Sequence, residues 1–177
     1  MSNIFLVSDT HFGHSNILNF KNADGSNLRT FDSVEHMDEH MIAQWNKVVK
    51  PSSKVYHLGD VVINKKHLVT LNRLNGTKVL IRGNHDIEKV SAYTPYFKDV
   101  RGSHQFEGLL LSHIPIHPSS LGRWGVNVHG HTHSNKVMIG EIPDIRYQCV
   151  SVEQLDDYTP ISLEQLKARI KNLGLIK

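Results

Sequence analysis

The sequence has little cysteine and no long hydrophobic run. Cys149 is the one cysteine of 177 residues, which excludes an intrachain disulfide and a metal site built from several thiolates. No apolar stretch approaches the roughly 18 residues that cross a bilayer. The first residues also lack the basic start and apolar body of a signal peptide. From these absences we expect a cytoplasmic protein that has no membrane partner.

The sequence also lacks a large excess of either positive or negative charge. The chain has 20 Lys and Arg against 17 Asp and Glu, a formal net charge of +3, and its basic residues form no run. This balance permits anionic ligands, but it gives no strong nucleic-acid-binding signal because no basic stripe is interleaved with aromatic residues. The length is typical of one domain, which we assign to residues 1–177.

Histidine, in contrast, is abundant. The chain contains 13 histidines, more than core packing or surface solubility requires. Imidazole is the commonest metal ligand in proteins. The composition therefore indicates metal chemistry.

The hydrophobic pattern predicts an α/β domain. Short runs of Val, Ile and Leu bounded by turn residues predict five buried strands, at residues 4–7, 55–58, 79–81, 109–111 and 126–128. Apolar residues at three- and four-residue spacing predict three helices, at 33–49, 65–74 and 162–173. Asp32 with Glu35 is predicted to cap the first helix and Ser162 with Gln165 the third. Because the region 126–152 has strand-like pieces without helices between them, we expect mixed or packed sheets rather than one parallel sheet.

Polar residues follow each of the five predicted strands. These clusters are Asp9 with His11, Asp60, Asn84 with His85 and Asp86, His113, and His131 with His133. In open α/β sheets the binding crevice lies beyond the carboxyl ends of the strands, so we expect the clusters to converge. Oxygen and imidazole donors without sulfur suit Mn²⁺, Fe, Zn²⁺ or Ni²⁺ rather than Cu(I) or an iron–sulfur cluster.

Each cluster taken alone also has a structural explanation. Asp9 could be a turn residue, Asn84 an Asx turn and His113 a hydrogen-bonded histidine at a strand end. Five such clusters together are not what packing requires, because buried Asp and His residues without partners are costly. The set as a whole therefore favours a metal site.

The five clusters resemble, in order, the signature of the calcineurin-like metallophosphoesterase superfamily, which is Asp-x-His, Gly-Asp, Gly-Asn-His-Asp/Glu, His and Gly-His-x-His. They span residues 9–133, and the small size is similar to that of the compact single-domain members found in bacteria and phages. The resemblance implies a two-layer β-sandwich of mixed sheets flanked by helices. It also implies two divalent transition metal ions, with Mn²⁺ favoured and Fe, Zn²⁺ or Ni²⁺ as alternatives.

The resemblance assigns a role to each motif residue. It implies a first metal site of Asp9, His11 and His133, and a second of Asn84, His113 and His131, with Asp60 bridging both. It implies that a hydroxide bridging the metals attacks phosphorus in line with the leaving group. The catalytic residues are then Asp60 and His85, the latter as the general acid that protonates the leaving group.

The surroundings of the motifs are less clear from the sequence. In the phosphoprotein phosphatase branch an acidic residue three positions after the bridging Asp orients the general acid, and here that position is Ile63. This disfavours phosphoprotein substrates and leaves the orienting residue open. Asp86 is expected to fix its turn. His14, His117, Arg82 and Arg123 could bind substrate, although a structural role is as plausible for each, and of these we favour His14 and Arg123. Trp124 could stack on a base, but packing is the commoner role.

These observations predict a dinuclear metal-dependent phosphodiesterase that acts on a small, nucleotide-derived phosphodiester. The expected partner is thus a small-molecule phosphoester. The alternative is a phosphomonoesterase acting on a small phosphorylated metabolite, and the sequence does not decide between the two. A nuclease is disfavoured by the lack of a basic stripe. A metal-free binding scaffold is disfavoured because all seven ligand positions are filled.

Overall fold

The predicted strands belong to two β-sheets in the computed structural model, which describes residues 3–175. The strands are β1 (Ile4–Val7), β2 (Lys54–His57), β3 (Thr77–Ile81), β4 (Asp99–Arg101), β5 (Ser103–Phe106), β6 (Leu109–Ser112), β7 (Asn127–His129), β8 (Met138–Ile139), β9 (Ile142–Pro143), β10 (Tyr147–Cys149) and β11 (Ile161–Ser162). The α-helices are α1 (Val34–Val48), α2 (Val90–Tyr93) and α3 (Leu163–Asn172). The 3₁₀ helices are Ser15–Asn19, Lys65–Arg73, Pro118–Ser120, Gly122–Trp124, Val152–Gln154 and Asp156–Tyr158.

Both large sheets are mixed. The first has the order β11-β1-β2-β3-β4, in which β1 to β4 are parallel and β11 is antiparallel to β1. The second has the order β10-β7-β6-β5, in which β5 alone is antiparallel to its neighbour. The short strands β8 and β9 pair only with each other. The expectation of mixed sheets is confirmed.

The two sheets face each other, and a helix covers the outer face of the first. Tyr56 of β2 contacts Phe106 of β5 across the interface, with ring centroids 4.9 Å apart. The next residue of β2, His57, points to the opposite face and stacks on Trp45 of α1. Alternate residues of a strand point to opposite faces, so β2 lies between α1 and the second sheet. This is the predicted sandwich flanked by helices.

The helices differ in part from the sequence prediction. The cap of α1 is Ser33, whose side chain accepts the N–H of His36, so the predicted pairing of Asp32 with Glu35 is wrong. Ser33 has the extended backbone of a capping residue, and its short hydroxyl reaches the third residue of the helix. The capping box of Ser162 with Gln165 is confirmed at α3.

The helix predicted at 65–74 is a 3₁₀ helix, Lys65–Arg73, rather than an α-helix. Leu68, Leu71 and Leu74 recur every third residue and are all buried. Three residues per turn is the period of a 3₁₀ helix, so this spacing places all three on one side. Over residues 3–175, no helix has the length and apolar character needed to cross a bilayer.

Candidate metal centre

Strand ends from both sheets meet at one place. Because β1, β2 and β3 are parallel and in register, the residues that follow them lie at one edge of the first sheet. At this edge β1 also reaches the second sheet, since the N–H of Ser8 donates to the carbonyl of Val150 at 2.8 Å and Val150 in turn follows β10. The turns after β6 and β7 are thereby brought beside the turns after β1 and β2.

The backbone is unusual at most of the predicted ligands. Eight non-glycine residues of the segment 3–175 have a left-handed φ, and five of them are predicted ligands. These are Asp9 (58°), His11 (49°), Asp60 (56°), His131 (67°) and His133 (50°). Each such residue costs on the order of 1–3 kcal/mol and persists only because its surroundings hold it, and such strain concentrates at functional sites.

The predicted ligands form two clusters. In each cluster the donor atoms lie within 4.8 Å of one another, and the clusters are Asp9, His11 and His133, and Asp60, His113 and His131. The Oδ1 atom of Asn84 lies 2.9 Å from Nε2 of His113, which adds Asn84 to the second cluster. All seven predicted ligands are therefore together.

Asp60 lies between the two clusters. Its Oδ2 atom is 3.7 Å from Nε2 of His11 in the first cluster and 3.4 Å from Nε2 of His113 in the second. Burial opposes ionisation of this carboxyl group, but the hydrogen bond and charge of His113 lower its pKa to about 2. A carboxylate in this position can contact ions in both clusters, as the bridging role requires.

The environment of His11 fits a metal ion. Its side chain is 3% exposed, yet neither ring nitrogen has a hydrogen-bond partner among the described residues. The Nε2 atom lies 4.0 Å from Oδ1 of Asp9 and 3.7 Å from Oδ2 of Asp60. These distances are too long for hydrogen bonds, but donors that are each about 2.1 Å from one ion lie roughly 3–4 Å apart. Burial and the Arg29 charge keep the pKa of His11 well below its usual value, so the ring is neutral as a ligand must be.

Close backbone packing holds Asp60 in place. A Cβ atom on Gly83 would lie 2.3 Å from Oδ1 and 2.5 Å from the backbone nitrogen of Asp60, so only glycine fits. Asp86 accepts the N–H groups of Asp60, Val61 and Gly83 at 2.8 to 3.1 Å. Asp86 therefore fixes this turn, as its sequence position indicated.

Comparisons with known proteins find relatives that align over most of this chain. An uncharacterised protein of Methanocaldococcus jannaschii is 35% identical over 186 aligned residues, which cover 100% of this chain and 96% of that protein. The gene 66 protein of Mycobacterium phage L5 is 29% identical over 78% of this chain and 81% of its own length. The crystal structure of a protein of unknown function from Aquifex aeolicus superimposes with a TM-score of 0.69 and 27% identity, over 95% of this chain and 99% of that one. No established family profile matches the sequence.

The archaeal relative aligns over 96% of its length. The motifs of this chain converge in space, and their order along the sequence is that of the superfamily signature. The chain belongs to one family with the archaeal protein, and its fold is that of the calcineurin-like metallophosphoesterases. The resemblance seen in the sequence is confirmed, and so is the fold that it implied. The two Asp/His clusters are groups that could hold metal ions, as such a fold would use them.

The two remaining predicted histidines lie at the metal centre. The side chain of His85 is 51% exposed, and its Nε2 atom is 4.0 Å from Oδ2 of Asp60. Its backbone N–H donates to Oδ1 of Asp60 at 2.9 Å, which fixes the turn that carries the ring. The ring of His14 lies 5.7 Å from that of His11, centroid to centroid. His85 is therefore exposed to solvent beside the second cluster, whereas His14 is partly buried beside the first.

Arg123 is not placed at the centre. Its guanidinium lies over the ring of Trp124, 5.4 Å from the centroid, and beside the turn at Glu107 and Gly108. That turn precedes β6, whereas His113 follows β6, so Arg123 lies at the opposite end of this strand. The structure therefore does not bring Arg123 to the metal centre, because nearness in sequence to β7 did not mean nearness to its carboxyl end.

Two residues that the sequence did not single out adjoin the metal centre. Arg29 and Glu153 are both buried, and they form an ion pair with 2.7 Å between the guanidinium and Oε1. Oε1 of Glu153 also lies 2.9 Å from Nδ1 of His133. Neither residue belongs to a motif, and 124 positions separate them, so no local pattern pointed to them.

Proposed function

We propose that this protein is a dinuclear metal-dependent phosphodiesterase that hydrolyses a small, nucleotide-derived phosphodiester. The observation that carries the proposal is the pair of buried carboxylates, Asp9 and Asp60, with the unpartnered ring of His11 beside both. Two bound divalent ions, Mn²⁺ in our proposal, supply Lewis acidity and an activated water for attack on phosphorus.

Charge favours an anionic substrate. Two divalent ions bring four positive charges, and Asp9 and Asp60 bring two negative charges, which leaves an excess of two. Among the described residues, the ion pairs of Asp9 and Asp60 are with histidines and none is with Lys or Arg. A hydroxide and a monoanionic diester together neutralise an excess of two, which supports a diester as the substrate.

The side chains after the ligand motifs support a substrate with an apolar or aromatic part. Ile63, Ile87 and Ile114 are exposed, and they follow Asp60, His85 and His113 by one to three residues. Exposed apolar side chains beside a polar centre are typical of a surface that binds a ligand. A nucleobase has the flat, weakly polar faces that such side chains can contact.

His85 supplies the proton in this proposal. Its ring is half exposed and hydrogen-bonded to no other side chain of residues 3–175, so Nε2 can reach the leaving oxygen of a bound diester. Protonation of that oxygen lets an alcohol depart instead of an alkoxide, which lowers the barrier for poor leaving groups.

A substrate panel tests the proposal. The protein is stripped with a chelator, reloaded with Mn²⁺ and assayed on an aryl phosphodiester, 2′,3′- and 3′,5′-cyclic nucleotides and the matching monoesters. We expect diesters to be hydrolysed faster than monoesters, and chelation to abolish the activity. Faster turnover of the monoesters would favour the phosphomonoesterase, and the Asp60→Asn variant controls for contaminating hydrolases.

A further inference from the structure

A buried ion pair connects the two chain segments of the first metal site. Arg29 donates to the backbone carbonyls of Asp9 and Thr10 at 2.5 and 2.9 Å, within the left-handed turn between Asp9 and His11. The same guanidinium donates through Nε to Oε1 of Glu153 at 2.8 Å. That oxygen also accepts from His133, so the pair joins the segment after β1 to the segment after β7.

The hydrogen bond to Glu153 fixes how His133 can bind metal. A carboxylate accepts hydrogen bonds only, so Nδ1 of His133 carries the proton in this contact. The other ring nitrogen, Nε2, is then unprotonated and is the one available to an ion. Carboxylates placed in this way behind a ligating histidine orient the ring and increase its basicity.

Charge gives Glu153 a second effect. Arg29 is fully buried close to the first site, where its guanidinium contacts the backbone carbonyls of Asp9 and Thr10. A buried cation at this distance also opposes the binding of a divalent ion. Glu153 neutralises it at 2.7 Å with a side chain that is itself 3% exposed.

We infer that Glu153 is a positioning residue that controls the affinity of the first metal site and leaves the second site unaffected. The inference rests on the proposed function, because it requires that both sites bind ions. The second site has a different support, since Nδ1 of His113 contacts the carbonyl of Leu58 at 2.7 Å and no carboxylate. Loss of the Glu153 charge should therefore weaken metal binding at the first site alone. The affinity that falls is then the affinity of the first site.

The test is calorimetric titration of the metal-free protein with Mn²⁺. In Glu153→Gln the amide keeps the shape and can still accept a hydrogen bond, but the charge is lost. We expect one of the two Mn²⁺ affinities to fall by about 10–100-fold, as for other residues behind metal ligands, and the other to stay unchanged. The matched control is Glu39→Gln, which removes the charge from an exposed pair with Arg73 and should leave both affinities as in the wild type.

The outcomes separate this inference from the proposed function. Unchanged affinities in Glu153→Gln, or an equal fall at both sites, would overturn the role of Glu153 while two ions still bind the wild type. Wild-type protein that binds fewer than two ions would overturn the proposed function as well.

A second measurement needs no variant of Glu153. In metal-free wild-type protein, ¹⁵N spectra at about pH 9 report the neutral tautomer of each histidine, and His133→Gln identifies the signal of His133. We expect the proton of His133 on Nδ1. A proton on Nε2 would show that Glu153 does not hold the ring and would overturn the inference even if Glu153→Gln fails to fold.

Discussion

His85 differs from the metal-ligand histidines His11 and His113 in its exposure, since half of its side chain faces solvent and theirs are buried. We predict that His85→Ala retains both metal ions and loses about 10²–10⁴-fold in turnover on an alkyl diester, the usual contribution of a general acid. The loss should be smaller on a nitrophenyl diester because nitrophenolate departs without a proton. Steady-state rates on the two substrates, with metal content measured in parallel, check this.

Two results would contradict this prediction, and each would assign a different role to His85. An equal loss on both diesters with both ions retained would make His85 a phosphate-orienting residue, and the proton would then come from another group such as His14. Loss of metal from His85→Ala would place His85 among the ligands.

Asp60 and His11 should differ in what their removal does to the metal content. Oδ2 of Asp60 lies within 3.7 Å of a histidine from each cluster, whereas His11 belongs to one cluster. We predict that Asp60→Asn loses both ions and that His11→Gln loses one. Elemental analysis after gel filtration measures both variants, and an equal residual metal content in the two would contradict the bridging role of Asp60.

The residues of the metal centre were predictable from the sequence because they lie in short motifs, each of which can be seen within a few consecutive residues. Asp9 with His11, and His131 with His133, stand two positions apart on single turns. Arg29 and Glu153 could not be found in this way because each acquires its role only through a partner distant in the sequence. Arg123 shows the converse error, in which proximity along the chain was taken for proximity in space.

At the scale of elements, the ends of β2 and β3 are in direct contact through glycines. A Cβ atom on Gly83 would meet the backbone nitrogen of Asp60 at 2.5 Å, and backbone cannot move aside as a flexible side chain does. We predict that Gly83→Ala displaces Asp60, with loss of metal binding and a destabilisation of about 1–3 kcal/mol, the usual cost of overpacking. Metal titration and urea unfolding measure the two effects.

Gly102→Ala is the matched control, because nothing lies within 4 Å of the added Cβ atom and the φ of Gly102 is not left-handed. This variant should bind metal as the wild type does. Normal metal binding by Gly83→Ala would show that the turn tolerates the methyl group and that Asp60 is not held by close packing.

The elements that were predictable are those with a strong periodic signal. The capping box of α3 and the apolar run of β1 are examples. By contrast, β4 (Asp99–Arg101) has only partly buried side chains, and β5 (Ser103–Phe106) alternates exposed and partly buried residues, so neither carries an apolar run. The 3₁₀ helix Lys65–Arg73 was mistaken for an α-helix because leucines three residues apart satisfy both periods over so short a length.

At the scale of the whole molecule, the metal centre depends on the junction of the two sheets. Ser8 bridges to Ser151, and the hydroxyl of Ser151 donates to Oδ2 of Asp9 at 2.7 Å. The α/β class could be predicted from the short apolar runs of the sequence. This junction could not be predicted, because it pairs residues 142 positions apart. The same junction means that the first site cannot form before both sheets have docked.

The strain and unpartnered groups of the centre lead to a prediction about the stability of the whole chain. Left-handed turns at five ligands and the buried ring of His11 oppose folding until an ion binds. An ion that binds only the folded state stabilises it by about 2.7 kcal/mol when its free concentration is 100 times the dissociation constant. For a domain of this size each kcal/mol raises Tm by about 2–4 °C, so each site should add roughly 5–11 °C. Calorimetry of metal-free protein with and without Mn²⁺ measures the rise, and Asp60→Asn should show none. A Tm that Mn²⁺ leaves unchanged, or raises equally in Asp60→Asn, would mean that the ions do not bind between these strand ends.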